Sequence, residues 1–427
     1  MNDGEGPDRR FATRSLHAGQ EPDPATGARA PPIHQTTSYV FEDADDAAAR
    51  FALDVEDNIY SRFSNPTVRT LERRLASLEG ATDAVCTASG MAALDAATSV
   101  LASAGDNVVA STDMYGGTAT YMTRMASRRG VETRTVETLD YDAYADAVDD
   151  DTAYVHVETV ANPSLVTPDF ERLADIAHEA GAPLFVDNTF ATPYLCRPVE
   201  HGADLVWEST TKWIHGSGTT LGGVLADGGT FPWDHPDADY PELAGENPAY
   251  GIDFTERFGD RAFAAVARYR SLRSLGNCQS PFDAWVTMQG LETLPLRMER
   301  HCENARAVAE FLRDHPAVEW VTYPGFEDHP THDNASEYLE GGYGGMVTFG
   351  LAGGYEAARR LCEETSLASF LANIGDAKTL LVHPASTTHS QLSEEEQRAA
   401  GVHPEMVRLS VGLEAAEDIL ADLEGCL

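Results

Sequence analysis

A chain of 427 residues is long enough for two or three domains, and its 42% hydrophobic fraction is that of a globular protein. With 69 acidic against 30 basic residues, the net charge of -39 excludes nucleic acid as a partner, and no apolar run is long enough to span a bilayer. The acids are spread over helical and strand patterns rather than gathered in a tail, which reads as a solvated surface suited to a high-salt cytoplasm.

Residues 1–58 are rich in Pro, Gly and Asp and read as an extended arm. The opening "MNDGEGPDRRFATRSLHAGQ" has no apolar segment, so no export signal is expected. From about 59 to 230, short apolar strands alternate with helices. "DAVCTAS" (83–89) precedes a helix opening at "GMAALDAATSVLAS", and "DNVVAS", "TAYVHVET", "PLFVDNT" and "DLVWEST" read as buried parallel strands. "DFERLADIAHEAG" supplies a helix and "TTLGGVLAD" a further strand, together the pattern of a doubly wound α/β layer. Residues 227–262, rich in turn formers and aromatics, read as an insertion loop. One long helix is expected over 280–315. After it come strands at "VEWVTYP", "GGMVTFGL" and "EMVRLSVGL", with helices at "YEAARRLCEET" and "AAEDILADLEGCL", forming a smaller α+β domain. Six cysteines (Cys86, Cys196, Cys278, Cys302, Cys362 and Cys426) stand far apart with no C-x-x-C pair. This spacing favours reduced thiols over disulfides or a zinc site.

Ligands of open α/β sheets bind at the carboxyl ends of the strands. "TASGMAAL" places Ser89, Gly90 and Met91 at a strand-to-helix junction whose free N–H groups suit a phosphate, or form an ordinary glycine turn. "VDNTFATP" leaves Asp187 at a strand end, where a buried carboxylate needs a cationic partner, or serves as a helix cap. "ESTTKWIHG" offers Ser209, Thr210 and Thr211 as hydroxyl donors beside Lys212. Of the 30 Lys and Arg residues, two are lysine, Lys212 and Lys378. Arginine stays protonated, whereas a desolvated lysine can become a nucleophile, so a retained lysine points to a required amine. The neighbours of Lys212 favour it over Lys378. A phosphate cradle, a strand-end acid and a reactive amine are what pyridoxal 5'-phosphate needs.

These residues resemble the cysteine/methionine-metabolism enzymes dependent on pyridoxal phosphate. The resemblance runs from "RSLHAGQ" to the C-terminus through "YSRFSNPT", "SGMAA", "DMYGGT", "VDNTFATP", "STTKW", "LRSLG", "RMERHCENA", "HPASTTHSQL" and "VRLSVGLE". It implies a fold type I α/β transferase: a mostly parallel large domain over 59–280 and a smaller α+β C-terminal domain, with its linking helix, over 281–427. It implies that Lys212 carries the cofactor and moves protons, Asp187 pairs with the pyridine nitrogen, and Asn162 lies near the ring hydroxyl. Ser89, Gly90, Met91, Ser209 and Thr211 would hold the phosphate, with Thr189 beside them, and Tyr115 would stack on the ring with an acid–base role. Tyr60 and Arg62 would complete a neighbouring subunit's site, making a homodimer the smallest active unit and a homotetramer the expected assembly. Arg408 would clamp the substrate α-carboxylate, with Ser386 and Asn162 lining that end. His383 and His389 lack the supporting pattern of a metal site, so no metal is expected.

The long segment between Lys212 and "LRSLG" is similar to the O-acetylhomoserine sulfhydrylase branch, although "GNCQSPFDAW" and "AYGIDF" depart from the family pattern. The implied reaction is γ-replacement on O-acetylhomoserine by sulfide or methanethiol. The alternative within the family is a cystathionine γ-synthase, a cystathionine γ-lyase or a methionine γ-lyase. The reading of a different class is a non-catalytic binding protein on the same fold.

Overall fold

The computed structural model describes residues 9–235, 239–388, 390, 393–399 and 401–427. Seven strands form the larger sheet: β1 (Asp83–Thr87), β2 (Asn107–Ser111), β3 (Glu132–Val136), β4 (Thr152–Glu158), β5 (Leu184–Asp187), β6 (Leu205–Glu208) and β7 (Gly223–Asp227), in the order β1-β7-β6-β5-β4-β2-β3. β2 to β6 pair in parallel, while β7 runs antiparallel to both of its neighbours, β6 and β1. β1 therefore points the same way as the central strands but, within the sheet, pairs with the reversed β7, a departure from a simple parallel reading. β3, unforeseen in the sequence, is a half-exposed edge strand with little apolar character to announce it.

Side chains alternate between two buried faces, as a doubly wound sheet requires. Leu184 and Val186 enter one core with Val155, Val157 and Val206, while Phe185 enters the other with Tyr154, Leu205 and Trp207. The segment read as an insertion loop supplies much of the second core. Phe231, Trp233, Tyr240, Leu243, Phe254 and Phe258 are buried there, and Trp233 stacks on Phe263 at 5.4 Å. Among the described residues it is irregular chain from Gly228 to Asp253, as a loop is, but its aromatics are buried.

The expected helix over 280–315 is two helices, Pro281–Leu291 and Leu294–Asp314. Pro295 lacks an N–H and fits the first turn of a helix, so a new helix starts there instead of the old one continuing. The second helix belongs to two cores. Leu294, Met298 and Cys302 pack under the large sheet, and Ala305, Val308, Ala309 and Leu312 pack in the smaller domain. The smaller sheet comprises β8 (Val318–Thr322), β9 (Met346–Leu351), β10 (Ser369–Phe370), β11 (Leu380–Val382) and β12 (Met406–Ser410), in the order β10-β11-β12-β9-β8.

The N-terminal arm is less extended than its composition suggests. Helices form at Phe11–His17 and at Ala44–Phe51, the latter capped by the Asp43 carboxylate, which accepts from the N–H groups of Asp45 and Asp46. The fully buried Arg74 fastens the arm's base by donating to Ala18 O at 3.1 Å and Gln20 Oε1 at 2.6 Å. All six cysteines are free. No described helix is long and apolar enough to cross a membrane.

Candidate active site

β1, β4, β5 and β6 deliver their carboxyl ends to one edge of the sheet, and the polar residues singled out from the sequence gather along it. At the end of β1, the Ser89 side chain caps helix Gly90–Leu101, accepting the Ala92 N–H at 3.2 Å. The first-turn N–H groups of Gly90 and Met91 have no intrahelical acceptor, as at any helix start. Gly90 is needed for close approach: a Cβ there would lie 2.8 Å from the Ser209 Cβ. The end of β6 is tied to the end of β5, because the Ser209 N–H donates to Thr189 Oγ1 at 2.9 Å. Thr211 is engaged sideways, donating to Gly222 O and accepting the Gly222 N–H.

Asp187 is buried, with one oxygen accepting the Thr189 N–H at 2.9 Å. Burial pushes its carboxyl up to about 7, and among the described residues no cation pairs with it. That is the environment of an acid awaiting a buried positive charge, and a pyridinium nitrogen would answer it. Lys212 lies one turn beyond β6. Burial, and then the charge of Arg408, lower its amine to about 8, close to the protonation balance a nucleophile or base requires. Its Nζ donates to Asn373 Oδ1, from a loop of the smaller domain. Gly375 of that loop (φ +72°) presses against the Trp213 backbone, where a Cβ would meet the Trp213 nitrogen at 2.7 Å. The turn after Lys212 is pinned by Arg297, which donates to Trp213 O at 2.6 Å and Ile214 O at 3.0 Å. Lys378, by contrast, is exposed and 3.5 Å from Asp376.

The smaller domain brings Arg408, in the middle of β12 and opposite Val382 of β11. Its Nη1 donates to Asn162 Oδ1 at 3.0 Å, burial lowers it to about 10, and Tyr115 lies within its field. No described carboxylate pairs with it, so a ligand carboxylate has an unshared guanidinium to meet. Ser386 follows β11 in a short turn, 2.8 Å from His383 Nδ1. His383 thus has a hydrogen-bonding role, and His389 lies outside the described residues. The Tyr115 ring is half exposed and lies over Gly117. Tyr60 and Arg62 are stacked on each other, 5.3 Å from cation to ring centre, and no contact among the described residues links them to Lys212 or Asp187.

Two residues escaped the sequence reading. Asn373 sits in a loop with no periodicity and meets Lys212 across 161 positions. Glu158 ends β4 as Asp187 ends β5, the same signal of an acid closing an apolar strand, yet its segment was read only as a strand.

The cradle at Gly90, the cation-seeking Asp187 and the amine of Lys212 fit pyridoxal phosphate, and this fold with this site is that of a pyridoxal-phosphate-dependent enzyme. The chain belongs to the Cys/Met metabolism PLP-dependent enzyme family, whose model matches residues 12–427. It is 50% identical over 421 residues to O-acetyl-L-homoserine sulfhydrylase 1 of Thermus thermophilus, covering 98% of this chain and 100% of that protein. It is 48% identical to the homocysteine synthase of Schizosaccharomyces pombe, covering 98% of both. Among solved structures it is similar to a putative O-acetylhomoserine (thiol)-lyase of Campylobacter jejuni, solved with N'-pyridoxyl-lysine-5'-monophosphate. The TM-score is 0.94 and the identity 38%, covering 98% of this chain and 99% of that one.

Proposed function

We propose that this enzyme performs γ-replacement on O-acetyl-L-homoserine, with sulfide or methanethiol displacing acetate to give homocysteine or methionine. The observation that carries this reading is near-complete, half-identical coverage by an O-acetyl-L-homoserine sulfhydrylase, supported by the half-buried Arg408 guanidinium, which bonds Asn162 and no described carboxylate. Pyridoxal phosphate, when bound, supplies the electron sink for a carbanion beside the substrate amine.

The chain's own residues do the rest. Ser89, Gly90, Met91, Ser209 and Thr211, with Thr189, hold the phosphate. Asp187 keeps the pyridine nitrogen charged, Asn162 and Tyr115 fix the ring's edge and face, and Arg408 and Ser386 orient the α-carboxylate. Lys212 would hold the cofactor, and its free amine is the base placed to take the substrate α-proton. Tyr60 and Arg62, which make no described contact with Lys212 or Asp187, complete the site of a second copy in a homodimer or a dimer of dimers. The large domain spans 59–280 and the smaller one 281–427. The enzyme is cytoplasmic, and its acidic surface suits high salt.

A panel of O-acetyl-, O-succinyl- and O-phospho-homoserine against sulfide, methanethiol and cysteine tests the reading. Sulfide-dependent homocysteine from the acetyl ester is the expected result. Preference for cysteine would make it a cystathionine synthase, and turnover without a thiol would make it a γ-lyase.

A further inference from the structure

Glu158 has no part in the roles above, yet it is 4% exposed and both of its oxygens are used. It closes β4, opposite Asp187 in register on β5. Oε1 accepts the Tyr115 N–H at 2.5 Å, and Oε2 accepts the Asn162 N–H at 2.9 Å. Tyr115 belongs to the loop after β2, which neighbours β4, while Asn162 lies just beyond β4 itself. Burying a carboxylate is costly, more so beside the acid Asp187. An apolar side chain would fill the space without that cost but would leave both N–H groups unpaired. Only a side chain with two acceptor oxygens answers both donors.

We propose that Glu158 is a positioning residue, a single carboxylate that splints the backbone at Tyr115 and at Asn162. It thereby sets together the ring face and the ring edge of the cofactor site. The splint extends one residue further, because Asn162 Oδ1 in turn receives Arg408. The proposal rests on the assignment of Tyr115 and Asn162 to the cofactor.

Glu158→Gln keeps the size but offers one acceptor and one donor, so one of the two N–H groups is left facing an NH2. Apoprotein of this variant is titrated with pyridoxal phosphate and followed by tryptophan fluorescence and visible circular dichroism. The expected result is about tenfold weaker binding, the scale of one buried N–H left unpaired, with a reduced dichroic band. The same substitution in a Tyr115→Ala, Asn162→Ala background is expected to weaken binding less than about threefold, because coupled residues are not additive. Wild-type affinity and dichroism in Glu158→Gln, or a full additive loss in the double background, would overturn the proposal. If Gln prevents folding, Glu158→Asp carries the test by the same thresholds, since it keeps the charge but reaches only one amide. If Tyr115→Ala and Asn162→Ala themselves bind cofactor like wild type, the site assignment fails. If they weaken binding and the Glu158 variants do not, only the splint fails.

Discussion

Lys212 and Arg408 arrive from different sheets, and the guanidinium's charge adds to burial in holding the lysine amine down to about 8. On the proposed assignment, a substrate carboxylate at Arg408 would neutralise that charge and so couple binding to the basicity of Lys212. Replacing Arg408 with Met should raise the Lys212 pKa, moving the pH dependence of cofactor capture by the apoprotein toward alkali. It should also lower kcat/KM about a hundredfold, mostly through KM, as expected for a lost charge-assisted pair. An unshifted profile would show that the two cations do not sense each other.

Lys212→Ala should abolish the visible absorbance of the bound cofactor and cost about a thousandfold or more in turnover. Lys378→Arg, at an exposed position, should change neither spectrum nor rate, as is usual for surface substitutions. Loss of the band in the Lys378 variant instead would reverse the assignment.

Asp187 gives the apoprotein a distinctive pH dependence. Its folded-state pKa is raised from 3.8 to about 7, so between about pH 4 and 7 the folded form binds more protons than the unfolded form. Stability from this group is therefore lost as pH rises through that window. Buried His301, lowered to about 4, acts in the opposite sense between about 4 and 6.5, in cofactor-free and cofactor-bound protein alike. The gap in melting temperature between the bound and free forms should thus widen from pH 5 to 8. It should shrink in Asp187→Asn, as calorimetry can show.

The net charge of -39 makes self-repulsion strong when counter-ions are dilute. Dialysis from molar salt to dilute buffer should lower the melting temperature and the activity. Full stability in dilute buffer would show that the acidic surface needs no screening.

Arg62→Ala and Lys212→Ala should each be inactive alone, yet regain part of the activity when unfolded and refolded together. A mixed dimer then contains one site with neither substitution. No recovery would place Arg62 in its own chain's site or outside any site.

The sequence disclosed the large sheet well because β4, β5 and β6 are apolar on both faces, and burial on both faces leaves an uninterrupted run. It pointed to Asp187 and Lys212 because each stands out chemically from its neighbours, and to Arg408 only through the family resemblance. It hid β3, whose exposed edge has no such run. It also hid the burial of Phe231, Trp233, Tyr240, Leu243, Phe254 and Phe258, which turn residues around them mask. Asn373 was invisible for a different reason: its importance comes from a contact made across the domain junction, and no local pattern encodes that. Glu158 closes β4 as Asp187 closes β5, so the same rule makes it legible, although its hydrogen-bond partners are not.

The opposed settings of Lys212 and Lys378, one half-buried and bonded to Asn373 and the other projecting into solvent, make the chain its own reporter. Protein grown with isotope-labelled lysine carries just two labelled side chains. Magnetic resonance would therefore read the active amine directly, with the surface lysine as an internal standard and nothing else in the spectrum to subtract.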